Sequence, residues 1–359
     1  MGNAPGNSYH LNHYSYMIYS KSHKKPLPVL GLLLFIVPAI QYGCSDVNPV
    51  SCQYYATSEK SGIKTALSLS GNISPEGACL DIFTFNDDML KRLDSYTRVE
   101  NFTGNSINVT SQSGDKIILI CANARKDRYE WADISSYSSM QSITVSLENE
   151  SEDNPSMTAS CMATAGNVIE GVCLQPVASE VILRSISCDF TGLPYAGKEI
   201  SDVKAYLTNV NAEAYLFEET PGFPLRIINM SMLNHDDIKG FMHPGLVVRK
   251  VADRIGSNPI VPHLCFMCYH NSVETEGPGT PFTRLVIEGK IDGDTYYWPI
   301  NINRQGEKNG IGRNCRYIFD LTIRRKGTTD PDIPVRHEDI ETTLEIIGWK
   351  ESQEEYIEF

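Results

Sequence analysis

Ile63-Lys64-Thr65-Ala66-Leu67-Ser68-Leu69-Ser70 reads as one strand, because Ile63, Thr65, Leu67 and Leu69 alternate with Lys64, Ala66, Ser68 and Ser70. That two-residue period belongs to a β-strand with one buried face. Downstream, a turn at Ser74-Pro75-Glu76-Gly77 precedes a second run, Leu80-Asp81-Ile82-Phe83-Thr84-Phe85. Lys116 to Ala122 is apolar at both odd and even positions, as a central strand covered on each side should be. Further strand candidates are Ser142–Leu147, Val177–Asp189, Asp202–Thr208, Thr283–Ile287, Thr295–Ile302 and Tyr317–Arg324, separated by turn-rich segments. Helical periodicity is short, around Met89–Leu93 and His235–Phe241, so the chain reads as all-β. No internal repeat of fixed period is visible. The irregular Glu148–Thr158 segment and the long strand from Val177 place a domain boundary between Gly166 and Val177. The expected domains are residues 61–170 and 177–359.

Upstream of the first strand lies a three-part export signal. Lys21, Lys24 and Lys25 precede an apolar run from Val29 to Ile40, which ends at Gly43-Cys44. The run is too short to span a bilayer, and a small residue before cysteine is where a lipoprotein peptidase cuts. Gln41 and Tyr42 depart from the usual lipobox, and Met17 is a second candidate start for the signal. Residues 1–43 are thus expected to be a lipoprotein signal peptide, with the mature chain beginning at a lipidated Cys44. Acyl chains on Cys44 would anchor the protein without a transmembrane helix. Residues 44–60 are polar and aperiodic, as a tether should be.

A chain of 359 residues leaves room for about two domains beyond the signal. The net charge is −13; removing residues 1–43 takes away three lysines and no acid and makes it −16. Such a surface repels nucleic acid, which is not an expected partner. Beside Cys44 stand nine cysteines, Cys52, Cys79, Cys121, Cys161, Cys173, Cys188, Cys265, Cys268 and Cys315. An odd number without repeated spacing does not form a disulfide framework and fits small buried apolar side chains.

Chemistry-bearing motifs are weak. His263, Cys265, Cys268 and His270 resemble a metal cluster, but on a strand the odd separation of the two cysteines points them to opposite faces. His235-Asp236-Asp237 offers a base beside carboxylates, yet Asn234 and His235 equally suit a helix N-cap. Arg125-Lys126-Asp127-Arg128 reads as a solvated turn or a protease-sensitive loop. No nucleophile elbow, zinc-protease pair, phosphate loop or dinucleotide fingerprint is present. The expectation is no enzyme, no catalytic residue, no metal and no cofactor. At the other end, after the loop Gly327–Pro334, Thr342, Leu344 and Ile346 share an apolar-leaning face, Gly348 marks a bulge before Trp349, and Tyr356-Ile357-Glu358-Phe359 closes the sequence. This is either an ordinary last strand or one that completes a neighbour's sheet.

Several segments in this order resemble the fimbrillins of the Bacteroides group, which build or anchor type V pili. Leu80–Phe85 followed by Gly114–Asn123 is similar to the family's early strand and its strand ending in Ala-Asn. Pro155-Ser156-Met157 sits where the family has a Pro-Met turn, and Arg184–Asp189 resembles the Arg-led strand of the second domain. Tyr296–Asn301 with Gly312–Ile323 carries the closest likeness, with Gly327 to Pro331 and Trp349 following in place.

The resemblance implies an all-β chain of two transthyretin-like β-sandwich domains, export as a lipoprotein, and polymerisation by strand exchange at the cell surface. In stalk subunits of the family a protease cuts after a basic residue beyond the first strand, which is lost. Here Gly71–Ala78 contains neither Arg nor Lys. The chain therefore fits a basal anchor or assembly terminator whose groove stays filled by its own strand, Ile63, Thr65, Leu67 and Leu69. The donor strand would lie in residues 341–359, presenting Leu344, Ile346, Trp349, Ile357 and Phe359. Expected partners are other fimbrial subunits, the outer membrane through the lipid, and a host or bacterial surface ligand. The alternative is a non-polymerising surface adhesin or glycan-binding lipoprotein using Tyr296, Tyr297 and Trp298 as stacking faces.

Overall fold

Runs rich in β-branched and aromatic residues, punctuated by Gly, Pro and Asn, are what a chain needs to form many short paired strands. The computed structural model describes residues 62–70, 77–217, 223–304, 310–336, 338–348 and 355–357, and shows that outcome. The strands before Val177 are β1 (Ile63–Ser70), β2 (Leu80–Asn86), β3 (Leu93–Val99), β4 (Ser106–Ser111) and β5 (Asp115–Ala122). They continue with β6 (Thr144–Ser146), β7 (Met157–Thr164), β8 (Val168–Cys173) and β9 (Gln175–Pro176). Beyond them come β10 (Ser179–Cys188), β11 (Ile200–Thr208), β12 (Val210–Asn211), β13 (Glu213–Tyr215), β14 (Ile227–Ile228) and β15 (Val248–Ile255). The last are β16 (Leu264–Cys268), β17 (Arg284–Ile291), β18 (Asp294–Asn301), β19 (Cys315–Ile323), β20 (Ile340–Gly348) and β21 (Glu355–Ile357).

Four sheets carry the architecture. A three-stranded sheet, β4-β1-β8, faces a five-stranded one, β3-β2-β5-β7-β9. Leu67, Leu69, Leu80, Ile82, Val109, Ile120 and Val172 fill the space between them. C-terminal to these, β16-β10-β19-β20-β21 faces β15-β11-β17-β18. Val181, Leu183, Leu207, Phe266, Ile287, Trp298 and Phe319 belong to the core there. The fold is an all-β sandwich architecture.

The doubly apolar run at β5 has a direct cause. Ile118 and Ile120 face the N-terminal core, whereas Leu119 and Cys121 join the larger core with Phe83, Phe85, Trp131 and Leu147. Both faces of that sheet are covered, so neither face of β5 can be polar. At the end of β5, Asn123 adopts a positive φ of 57°. Its side chain accepts from Cys79 N at 3.2 Å and donates to Pro155 O at 3.3 Å, which explains asparagine after alanine at this corner.

Main-chain pairing also ties the two pairs of sheets together. β6 pairs antiparallel with β13, and Leu216 N donates to Ile143 O at 2.8 Å. Glu150 is buried at this seam, accepting from Ser156 N at 2.9 Å and from the Tyr269 hydroxyl at 2.8 Å. Burial pushes its carboxyl above the usual range, although both hydrogen bonds pull the other way.

Two helix expectations fail. Met89–Leu93 is a bend into β3, where Asp88 Oδ1 accepts from Leu90 N and Lys91 N at 2.9 and 2.8 Å. That local side-chain cap replaces a helical ladder. His235–Phe241 is a pair of turns in which Asp237 N donates to Asn234 O and Phe241 N to Ile238 O. Burial of Ile238 and Phe241 in the large core supplied the apolar spacing that mimics a helix.

Candidate strand-exchange site

β1 lies in the middle of its sheet, with a partner on each edge. It runs antiparallel to β4, from Ile63 opposite Ser111 to Ser68 opposite Ser106. On the other side it runs parallel to β8, with Ala66 opposite Val168 and Ser70 opposite Cys173. β8 carries one extra residue between the partners of Leu67 and Leu69, and Gly171 there has a φ of 70°, so the bulge falls on glycine. Leu69 N donates to Asn105 O at 2.7 Å, and Leu174 N to Ser70 O at 3.1 Å.

The inward side chains of β1 are Thr65, Leu67 and Leu69, at 1%, 0% and 6% exposure. Thr65 Oγ1 accepts from Gly166 N at 3.1 Å, which satisfies its hydroxyl inside the core. Ile63 is 37% exposed, at the open start of the strand. No ion pair holds β1 among the described residues; it is kept by two hydrogen-bond ladders and aliphatic packing. Taking β1 out would leave two unpaired strand edges flanking an apolar slot, which an extended segment can fill. Gly77 and Ala78 close the connection to β2, and residues 71–76 lie outside the described residues.

The C-terminal ribbon is built differently. β20 pairs antiparallel with β19 along its whole length, from Ile340 opposite Ile323 to Gly348 opposite Cys315. Leu344 is 6% exposed and belongs to the large core, while Ile346 is half-buried against it. Between them Glu345 is buried and accepts from Arg184 Nη1 at 2.7 Å. Arg184 also grips Asp320 through Nε at 3.1 Å and Nη2 at 2.5 Å, and Ser185 Oγ donates to Asp320 Oδ1. These bonds from Arg184 hold the Asp320 carboxyl below its usual range. β21 covers only the middle of the other edge of β20, with Leu344 opposite Ile357 and Ile346 opposite Glu355. Trp349, Phe359 and the Ile357 side chain lie outside the described residues, as do Cys44 and the tether 44–60.

Cys265 is half-buried on β16 and Cys268 is fully buried, and His270 is buried with its carbonyl accepting from Asn211. Among the described residues no group of three metal-ligating side chains converges. The eight described cysteines are free thiols. Asn234 Oδ1 accepts from Asp236 N at 3.1 Å, so the segment beside His235 is a local cap. Arg98 donates to the carbonyls of Arg125 and Lys126, at 3.3 and 2.9 Å, pinning the basic turn. Trp298 is fully buried, donating from Nε1 to Arg325 O at 3.0 Å, which removes it as a stacking face for sugars.

Two parts of the site escaped the sequence reading. The walls β4 and β8 were not among the strand candidates, although Ile107 and Val109 alternate with exposed neighbours. β8 is disguised by the glycine at its bulge. The Arg184–Asp320–Glu345 cluster joins residues 136 and 161 positions apart, and no local pattern encodes such a pairing.

No protein-family model and no curated protein matches the chain. Among solved structures it is similar to a fimbrilin from Porphyromonas gingivalis W83, with a TM-score of 0.61 at 14% identity over 81% of this chain and 98% of that one. A candidate cell adhesion protein from Bacteroides eggerthii DSM 20697 superposes with a TM-score of 0.61 at 18% identity, covering 80% of this chain and 96% of that one. Another, from Parabacteroides distasonis ATCC 8503, gives 0.60 at 17% identity, covering 82% and 98%. At these identities the likeness is one of fold: the chain has the all-β architecture of a fimbrillin along nearly the whole length of its relatives.

Proposed function

We propose that this chain is a fimbrial subunit whose work is mechanical, a basal anchor or assembly terminator held at the outer membrane by a lipid on Cys44. The observation that carries this reading is the placement of β1 between β4 and β8, with Thr65, Leu67 and Leu69 buried. The connection that follows β1 offers no Arg or Lys to a basic-residue protease. A groove already filled by its own strand cannot accept a donor, so growth stops at that face. The fimbrillin fold of the solved relatives supports the fimbrial-subunit part of this reading.

The two-domain division near residues 170–177 belongs to this proposal. So does donation to a neighbouring subunit from the ribbon 341–359. Leu344 and Glu345 are buried in the chain's own sandwich and β21 pairs with β20, so donation requires the segment after Gly348, with Trp349, Ile357 and Phe359, to leave that edge while β20 stays as the base that presents it. Mass spectrometry of surface appendages tests the anchor role: a mature chain starting at Cys44 with its acyl groups is expected, and one starting beyond Gly71 overturns it. Deletion of residues 349–359 tests donation, with loss of incorporation expected and unchanged incorporation against it.

A further inference from the structure

A cleft of about 260 Å³ opens between the end of β18 and the inner face of β20, under the loop Pro334–Arg336. Phe319, Ile340 and Leu344 form its apolar floor, while Arg304 and Arg336 also line it. Arg184, Arg284, Arg316 and Arg324 each have a carboxylate within 4 Å, whereas neither Arg304 nor Arg336 has one among the described residues.

Arg304 is nonetheless held rigidly. Its guanidinium stacks on the Phe282 ring at 3.6 Å and donates to the carbonyls of Val273 and Asn271. Its buried Nε has no hydrogen-bond partner among the described residues. Burial, with the neighbouring Arg284 adding repulsion against the partial relief from Glu276, pushes its pKa down to about 10. Arg304 is half-buried with no carboxylate within 4 Å among the described residues, and an anion in the cleft would offset the cost of desolvating it. Thr342 and Asn301 add polar atoms to the lining.

We propose that this cleft binds an organic carboxylate, with the anionic group held by Arg304 and Arg336 and an apolar body resting on Phe319 and Leu344. Planar guanidinium groups favour carboxylates through paired charge-assisted hydrogen bonds. The apolar floor selects against small inorganic anions, and the volume admits something close to a single ring. The inference does not depend on the assembly role. The carboxylate could belong to a free small molecule or to an acidic, aromatic chain segment such as Glu354–Phe359, whose strand β21 sets Ile357 opposite Leu344.

Titration calorimetry on the full chain decides it, with phenylacetate, phenylacetamide, inorganic phosphate and an amide-capped Glu354–Phe359 peptide as probes. Saturable one-site binding of phenylacetate or of the peptide is expected. Phenylacetamide and phosphate should bind at least about tenfold more weakly than phenylacetate if that is the ligand. Arg336→Gln, on an exposed loop, should weaken whichever carboxylate binds by about tenfold. Arg304→Gln should do the same; if it fails to fold, Arg336→Gln and the acid-amide comparison still decide. Peptide binding without phenylacetate binding identifies a chain segment as the source. Absence of binding by both, equal binding of acid and amide, or indifference to Arg336→Gln overturns the proposal.

Discussion

The first and the last long strands are both paired into sheets, yet they are secured by different forces. β1 is held by backbone ladders and by Thr65, Leu67 and Leu69 in an aliphatic core, with no ion pair to fix it among the described residues. β20 adds to its ladder a buried carboxylate, Glu345, bound by Arg184 and linked through it to Asp320. Aliphatic packing accepts any extended segment of matching shape and period. A buried carboxylate accepts only a partner that neutralises it, because an unmatched buried charge is penalised. On the proposed strand-exchange reading, a β1 slot vacated by its own strand would be the exchangeable part of this fold and β20 the fixed one.

The largest test of that contrast is removal of residues 63–70. The N-terminal sandwich should lose its cooperative unfolding transition, and a synthetic Ile63–Ser70 peptide added in trans should restore it; failure of the peptide to rescue would show that β1 is not exchangeable. Next, Leu67→Ala should cost about 2–5 kcal/mol in chemical denaturation, as other fully buried leucines do. Leu344→Ala, which enlarges an existing cleft, should fall at or below the low end of that range. Glu345→Ala should cost about 1–2 kcal/mol, because Arg184 is partly exposed and keeps Asp320. Equal or greater loss at Leu344 than at Leu67 would reverse the comparison.

Acid titration gives smaller effects of opposite sign. Asp320 has a depressed folded pKa, so its contribution is present above the unfolded value near 3.8 and is lost as pH falls through the folded one. Asp320→Asn should remove that acid-induced loss. Glu150 has a raised folded pKa, so its contribution is present below about 4.5 and lost as pH rises through the folded value. Glu150→Gln retains the acceptor for Ser156 N and should change stability at neutral pH by less than about 1 kcal/mol in the favourable direction. It should also flatten the profile above pH 4.5, read from thermal melts.

The legible parts of the molecule are those written in local alternation. β1 announces itself because Thr65, Leu67 and Leu69 share one face and nothing interrupts them. β5 was readable as a central strand because Ile117 to Cys121 is apolar throughout, although only the structure shows that its second face, Leu119 and Cys121, covers a different core. Reading failed where a local device or a distant partner governs. Asp88 caps a bend that imitates a helix start, and Gly171 breaks the pattern of the strand that walls the slot. Glu345 looks like an ordinary surface acid until Arg184, 161 residues away, is placed beside it. Trp298 next to Tyr296 and Tyr297 reads as an aromatic surface, but the register that sets Trp298 opposite Ile287 turns it inward.

The parallel pairing of β1 with β8 has a kinetic corollary. Thr65 and Gly166, joined by a hydrogen bond, are 101 positions apart, so β1 and the nearby β4 can pair before the distant wall closes on them. During that interval the hydrophobic strip of β1 has only one of its two neighbours. A foreign strand arriving then competes with an unfinished sheet and displaces nothing, whereas one arriving later faces a barrier set by unfolding. Timing of encounter, more than affinity, would then govern which segment occupies the slot.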